Sequence, residues 1–233
     1  MLIDCGLSCR ELMRRTSNVG ISLDGLDGIV ITHSHDDHIS GLATFHKRFP
    51  GVPLFANFMT AEAVACRARV EDAAFVPFEN GQSFAVGPFD VAPFSIPHDT
   101  SDPVGYVVKV EGITSFHGTD IGTPLDSVGL HIAEANIVTL ESNHDPVMLR
   151  TSGRPPSLVQ RIAGPRGHLS NDQACELVRR FASPRLERIA LAHLSEECNV
   201  AHVAERAMRN TLDSIGRHDV PLVVLSQHTP IMV

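Results

Sequence analysis

Seven consecutive residues, Thr32-His33-Ser34-His35-Asp36-Asp37-His38, set four ligand-type side chains in a His-x-His-x-Asp-His pattern. Imidazole nitrogens and carboxylate oxygens are donors for divalent cations of the zinc or manganese kind. Side chains alternate along an extended segment, so His33 and His35 fall on one side and can reach one cation. Asp37 and His38, turning with the start of a helix, can meet a second. The bland reading of the same residues is a solvated polar loop after a strand. Two cations side by side acidify a shared water and neutralise an oxygen that gains charge, which is the chemistry of phosphodiester, thioester and lactam hydrolysis.

Such a motif needs a strand to end in front of it and a helix to start behind it. Residues 28–32 form a β-branched run, Gly-Ile-Val-Ile-Thr, that reads as a buried strand stopping where the histidines begin. A helix is expected over residues 37–49. Residues 1–4 read as a strand end and 8–18 as a helix. Segments 53–55, 83–86, 89–94 and 104–110, punctuated by Gly81, Gly87, Pro88 and Gly112, read as an antiparallel meander. Residues 137–140, 189–192 and 222–225 are further buried strands, separated by helical patterns at 171–181 and 202–215. No repeat or low-complexity linker interrupts the order, so one domain over 1–233 is expected, an α/β fold of two sheets covered by outer helices.

The His33 to His38 pattern resembles the signature of the metallo-β-lactamase fold superfamily. Leu2-Ile3-Asp4-Cys5-Gly6 is similar to the strand-ending Asp motif whose carboxylate buttresses the metal loop. Ile96-Pro97-His98, followed by Gly105-Tyr106, resembles the His…Gly-Tyr element of ribonuclease Z relatives. Gly118-Thr119-Asp120 resembles the motif of the metal-bridging Asp. Gly167-His168-Leu169-Ser170 and Leu191-Ala192-His193-Leu194-Ser195 resemble two elements of the nuclease and phosphodiesterase branch, the first supplying a catalytic His and the second a ligand. With Glu141-Ser142-Asn143-His144-Asp145 and Arg161-Ile162, the set resembles the YycJ (WalJ) branch, implicated in 5′-directed DNA exonuclease activity. Two departures stand out. The family carries a Gly/Ser-rich segment and strands ahead of its Leu-Ile-Asp motif, so the four-layer αββα sandwich is expected to be N-terminally short. Ile121 also stands where this branch has Thr.

The resemblance implies two divalent cations, zinc or manganese. His33, His35 and His98 would hold one, Asp37, His38 and His193 the other, and Asp120 would bridge them. Asp37 and His168 are the catalytic candidates, with a bridging hydroxide as nucleophile and His168 protonating the leaving oxygen. His168 sits on a tight Gly164-Pro165-Arg166-Gly167 turn ahead of a helix capped by Ser170 or Asn171. From Pro146 to Asn171 there are four arginines, Arg150, Arg154, Arg161 and Arg166, and no acid. Arg161 and Arg166, with Asn143, His144, Ser170 and Asn171, are the substrate-binding candidates, the alternative for the arginines being a solvated face. Only 21 residues separate His98 from Asp120, too few for the substrate arm of transfer-RNA-processing enzymes. His228 is the rival to His193, which is preferred because it directly follows an apolar strand.

Composition narrows the partners. The 233 residues carry 19 basic and 27 acidic side chains, a formal charge of −8, which opposes binding nucleic acid by net charge alone. Bound cations would reverse that sign locally. Histidine appears 13 times, against only two lysines, Lys47 and Lys109. Five scattered cysteines do not form a disulfide framework, and no apolar stretch is long enough for a membrane span, so a cytoplasmic enzyme is expected. Its expected substrate is nucleic acid, DNA ahead of RNA, with no membrane partner and a homo-oligomer allowed. The competing readings are a hydrolase of a small cyclic phosphate, thioester or lactam, and a metal-binding homologue with impaired catalysis.

Overall fold

A computed structural model describes residues 1–71 and 74–232. The strands form two sheets, with helices packed on them. By its contacts the chain divides into two compact units, the first made of Met1–Ser95, Thr100–Tyr106 and Thr229–Met232, the second of Ile96–Asp99 and Val107–His228.

The first unit contains β1 (Leu2–Ile3), α1 (Cys9–Asn18), β2 (Ile29–Val30), α2 (Asp36–Ile39), α3 (Leu42–Arg48), β3 (Leu54–Asn57), α4 (Phe58–Ala68), β4 (Phe75–Phe78), β5 (Phe84–Val86) and β6 (Phe89–Ser95). Its four-stranded sheet runs β1-β2-β3-β4, parallel throughout. Ile29, Ile31, Leu54 and Ala56 meet Leu42, Phe45 and Val64 in its core. At roughly 1.5–3 kcal/mol per buried large apolar side chain, this burial is what holds strands of only two to four residues. The expected meander is half right. β5 and β6 form an antiparallel hairpin, but the segment at 53–55 belongs to β3, parallel to β2. The run Phe-Met-Thr-Ala-Glu-Ala-Val-Ala-Cys-Arg-Ala that follows it is α4, started by the Asn57 side chain accepting from the Thr60 N–H.

The helix expected over 37–49 is two helices. At the break the Gly41 N–H donates to the Cys5 carbonyl (2.9 Å). A Cβ on Gly41 would lie 1.8 Å from the Leu7 carbonyl oxygen, and one on Gly6 1.6 Å from that of Asp37. Two glycines thus let the 5–7 segment lie against the α2–α3 corner, which a straight helix could not accept.

The chain crosses into the second unit along β7 (Val104–Val110), followed by β8 (Ile113–Gly118), α5 (Asp126–Glu134), β9 (Ile137–Glu141), α6 (Pro146–Thr151), α7 (Pro156–Ile162), α8 (Asn171–Phe181), β10 (Arg188–Ala192), α9 (Ala201–Ser214) and β11 (Leu222–Val224). Strands β11-β10-β9-β8 are neighbours in that order and all parallel. α5, α8 and α9 lie in the connections between these successive parallel strands, and α8 packs against both α5 and α9. α8 begins with a full capping box: Ser170 Oγ accepts from the Gln173 N–H and Gln173 Oε1 from the Ser170 N–H.

Candidate metal centre

In the first unit the strand ends carry the chemistry. Asp4, with φ +59°, directly follows β1, and Thr32-His33 follow β2 after Ile31. Asp4 Oδ1 accepts from the Thr32 N–H (2.7 Å), and Oδ2 accepts from both the Thr32 hydroxyl and His38 Nδ1 (2.7 Å each). The Thr32 hydroxyl spends its one proton on Asp4, so it accepts at 2.9 Å from His33 Nδ1–H. Burial would raise the Asp4 carboxyl, but the charge and hydrogen bond of His38 outweigh it and hold the pKa below the ordinary range. The His33 ring lies 4.8 Å from that of His35, as alternation requires, and 4.1 Å from that of His38. His38 Nε2 lies 3.5 Å from Asp37 Oδ2, and that carboxylate is 65% exposed.

In the second unit Glu141, the last residue of β9, is wholly buried and takes four hydrogen bonds. Oε1 accepts from His168 Nδ1 (3.0 Å) and His193 Nδ1 (2.8 Å), and Oε2 from the N–H groups of Ile121 (3.0 Å) and Leu169 (2.9 Å). Burial opposes its ionisation, yet the two histidines lower its pKa below the usual value. Asp120 Oδ1 lies 3.5 Å from His98 Nε2, 3.5 Å from His168 Nδ1 and 3.6 Å from His193 Nδ1. One ligand atom from each of Asp120, Glu141, His168 and His193 falls within 4.8 Å of the others. His98 Nδ1 donates to the Gly167 carbonyl (3.0 Å), and burial depresses its pKa, keeping the ring neutral. For His168, burial also works against the proton, but Glu141 and Asp120 win and the pKa is raised.

One rule unites both halves. His33, His38, His98, His168 and His193 each direct Nδ1–H at an accepting oxygen, which leaves Nε2 as the ligand atom of a neutral ring and, in His168, whose pKa is raised, as the site of a second proton. Asp4, Asp120 and His193 all have positive φ, at a cost of about 1–3 kcal/mol apiece. Three of the six non-glycine residues with positive φ among the described residues thus carry ligand-type side chains of the site, the others being Arg69, Asp102 and Glu111. Imidazole nitrogens and carboxylate oxygens in these ligand-type groups are donors that fit a divalent cation.

The remaining candidates are placed differently. Ser170 is spent on the α8 cap. Asn171 exchanges hydrogen bonds with Asn199 and accepts from the Ser142 hydroxyl (2.7 Å). Asn143 Nδ2 donates to the His193 carbonyl, and His144 is buried. Arg161 pairs with Asp99 (2.6 Å), Arg154 with Glu197 (2.9 Å), and Arg166 Nε donates to the His98 carbonyl (3.0 Å). His228 lies on Glu196 (2.8 Å). Sequence reasoning gave Glu141 no role of its own. Its signal was an acid closing an otherwise apolar strand, Ile-Val-Thr-Leu-Glu.

A family model described as a beta-lactamase superfamily domain matches residues 1–193. The exodeoxyribonuclease WalJ of Streptococcus pneumoniae serotype 2 is 31% identical over 215 residues, 91% of this chain and 80% of that one. The exodeoxyribonuclease YycJ of Bacillus anthracis is 29% identical over 218 residues, 93% and 82% of the two chains. The Zn(2+)-bound PqqB of Methylobacterium extorquens shares the fold, with a TM-score of 0.69 at 14% identity over 98% of this chain and 81% of that one. The chain is a member of the metallo-β-lactamase fold superfamily.

Proposed function

We propose that this chain is a metal-dependent phosphodiesterase that degrades DNA from an end. The observation that carries this reading is the shared Nδ1-bound state of five histidines, which turns their Nε2 atoms into ligands or, for His168, into a proton donor. The residues proposed to hold two divalent cations, zinc or manganese, are His33, His35, Asp37, His38, His98, Asp120 and His193. Such cations, when bound, supply an acidified water and neutralise charge on a phosphate oxygen. Asp37, the exposed carboxylate of the set, would orient that water. Glu141 holds His168 by Nδ1, and the raised pKa of His168 favours the protonated ring, from which Nε2 would deliver a proton to the leaving oxygen. Arg161 and Arg166 keep guanidinium nitrogens beyond those bound to Asp99 and the His98 carbonyl, which could meet a phosphate. The choice of DNA over RNA rests on the WalJ and YycJ relatives. Among the described residues no helix is long and apolar enough to cross a membrane, which agrees with a proposed cytoplasmic site of action.

The test is reconstitution with Mn²⁺ or Zn²⁺ and assay against 5′-phosphorylated DNA, single-stranded RNA, a generic phosphodiester, a thioester and a lactam. DNA should be shortened progressively from an end. His168→Ala should lower turnover by about 10²- to 10⁴-fold with metal content unchanged. Thioester or lactam cleavage without DNA cleavage would replace the reading by a small-molecule hydrolase. Stoichiometric metal with no ester cleaved would replace it by an impaired homologue.

A further inference from the structure

β9 and β10 pair in register as far as Glu141 and Ala192. The Ser142 N–H still donates to the Ala192 carbonyl (3.0 Å), but His193 then takes φ +56° and the ladder breaks. Asn143 spans the break. Its Nδ2 donates to the His193 carbonyl oxygen (2.9 Å), while its own carbonyl accepts from the Ser195 N–H (2.8 Å). Asn143 is fastened in turn by the buried Asn199, whose Nδ2 reaches the carbonyls of Ser142 (2.8 Å) and Asn143 (3.1 Å) and Asn171 Oδ1 (2.9 Å). Asn199 Oδ1 accepts from Asn171 Nδ2 (3.1 Å) and the Val200 N–H (2.9 Å), so its amide has no spare capacity.

We propose that Asn143 is a positioning residue for His193, and that Asn199 holds Asn143 in place for that purpose. A residue with a Cβ stays left-handed only under external constraint. Without the Asn143 bond, residue 193 can return to extended backbone, which turns its side chain to the other face and away from Glu141. His168 is held otherwise, by main-chain bonds from its N–H to the Ile162 carbonyl and from the Asn143 N–H to the Leu169 carbonyl (2.9 Å each), so removing the Asn143 side chain should release His193 and spare His168. The inference rests on the reading of His193 as a metal ligand.

Cobalt(II) is titrated into the metal-free wild type, Asn143→Ala and Asn143→Ser and followed by visible absorption. The Nδ1 proton of His193 is followed by NMR in the same metal-free proteins. Both variants should bind cobalt at least about tenfold more weakly, with an altered absorption band, as lost ligand-orienting contacts do. They should lose or shift the low-field His193 resonance while that of His168 stays. Thr211→Val in α9 serves as a control for general loss of stability and should leave both readouts unchanged, while Asn199→Ser should repeat the Asn143 effect more weakly. Wild-type cobalt affinity and an unmoved His193 resonance in the Asn143 variants overturn the inference. If the wild type itself binds no cobalt, the metal reading falls instead, and the proton resonance alone decides the positioning role.

Discussion

Glu141→Gln is the substitution that asks most of this site. The Ile121 and Leu169 N–H groups both need an acceptor at Oε2, so the glutamine oxygen stays there and its NH₂ is forced against Nδ1 of His168 and His193. Two charge-assisted hydrogen bonds, about 1.5–3 kcal/mol each, would be lost, a gross penalty of about 3–6 kcal/mol. Two effects offset it. A neutral amide is cheaper to bury than a carboxylate, and each imidazole can move its proton to Nε2 and accept from the amide instead. The metal-free protein should therefore lose no more than about 2 kcal/mol, a melting shift of about 4–8 °C at most for a domain near this size. The tautomer switch blocks Nε2, so the larger effect falls on metal affinity, about 10- to 100-fold, or 1.4–2.7 kcal/mol. Competition with a chromophoric chelator measures the second quantity and calorimetry of the metal-free protein the first. Wild-type metal affinity in Glu141→Gln would refute the idea that this carboxylate sets the histidine tautomers.

Three further outcomes follow from the same contacts. The pKa of Asp4 is lowered on folding, so its contribution to stability is complete above the unfolded value of about 3.9 and is lost as pH falls through the folded one. Metal-free Asp4→Asn should be less stable than wild type at neutral pH and show a shallower acid limb in urea titrations, and equal slopes would count against the His38 pairing. The buried Cys5 thiol is pushed up to about 12 and Cys175 is raised, whereas Cys66 is exposed; a thiol reagent at pH 8 should modify Cys66 in seconds and leave Cys5 and Cys175 until unfolding, which mass spectrometry can follow. Tyr106, fully buried, donates its hydroxyl to the Ile31 carbonyl just ahead of Thr32; Tyr106→Phe should cost about 1–3 kcal/mol, and an unchanged urea midpoint would show that carbonyl to be satisfied otherwise.

Much of this is legible in the sequence. The β-branched run ending in Thr32, and the apolar runs 137–140 and 189–192, each announce a buried strand, and ligand-type residues follow at their carboxyl ends. Features set by distant contacts were not legible. The break at Gly41 is imposed by Leu7, 34 positions away, and no local propensity reports it. The pairing of β3 with β2 is hidden because α4 carries only a weak apolar stripe, so short apolar segments on either side read as consecutive hairpin strands. Glu141 was missed because one acid at a strand end looks like ordinary surface until its burial is seen. Asn143 and Asn171, expected as substrate contacts, make hydrogen bonds that turn inward to protein.

Glu141 is anchored on one side entirely by main chain, through the N–H groups of Ile121 and Leu169, whose own side chains are wholly buried. The anchor is therefore indifferent to the letters at these two positions so long as an apolar side chain fits, and an isoleucine at 121 in place of threonine leaves the bond to Glu141 untouched. Proline alone, having no N–H, is barred from both. What the anchor holds constant is adjacency, an N–H one residue after Asp120 and another one residue after His168, whatever the lengths of the connections between them.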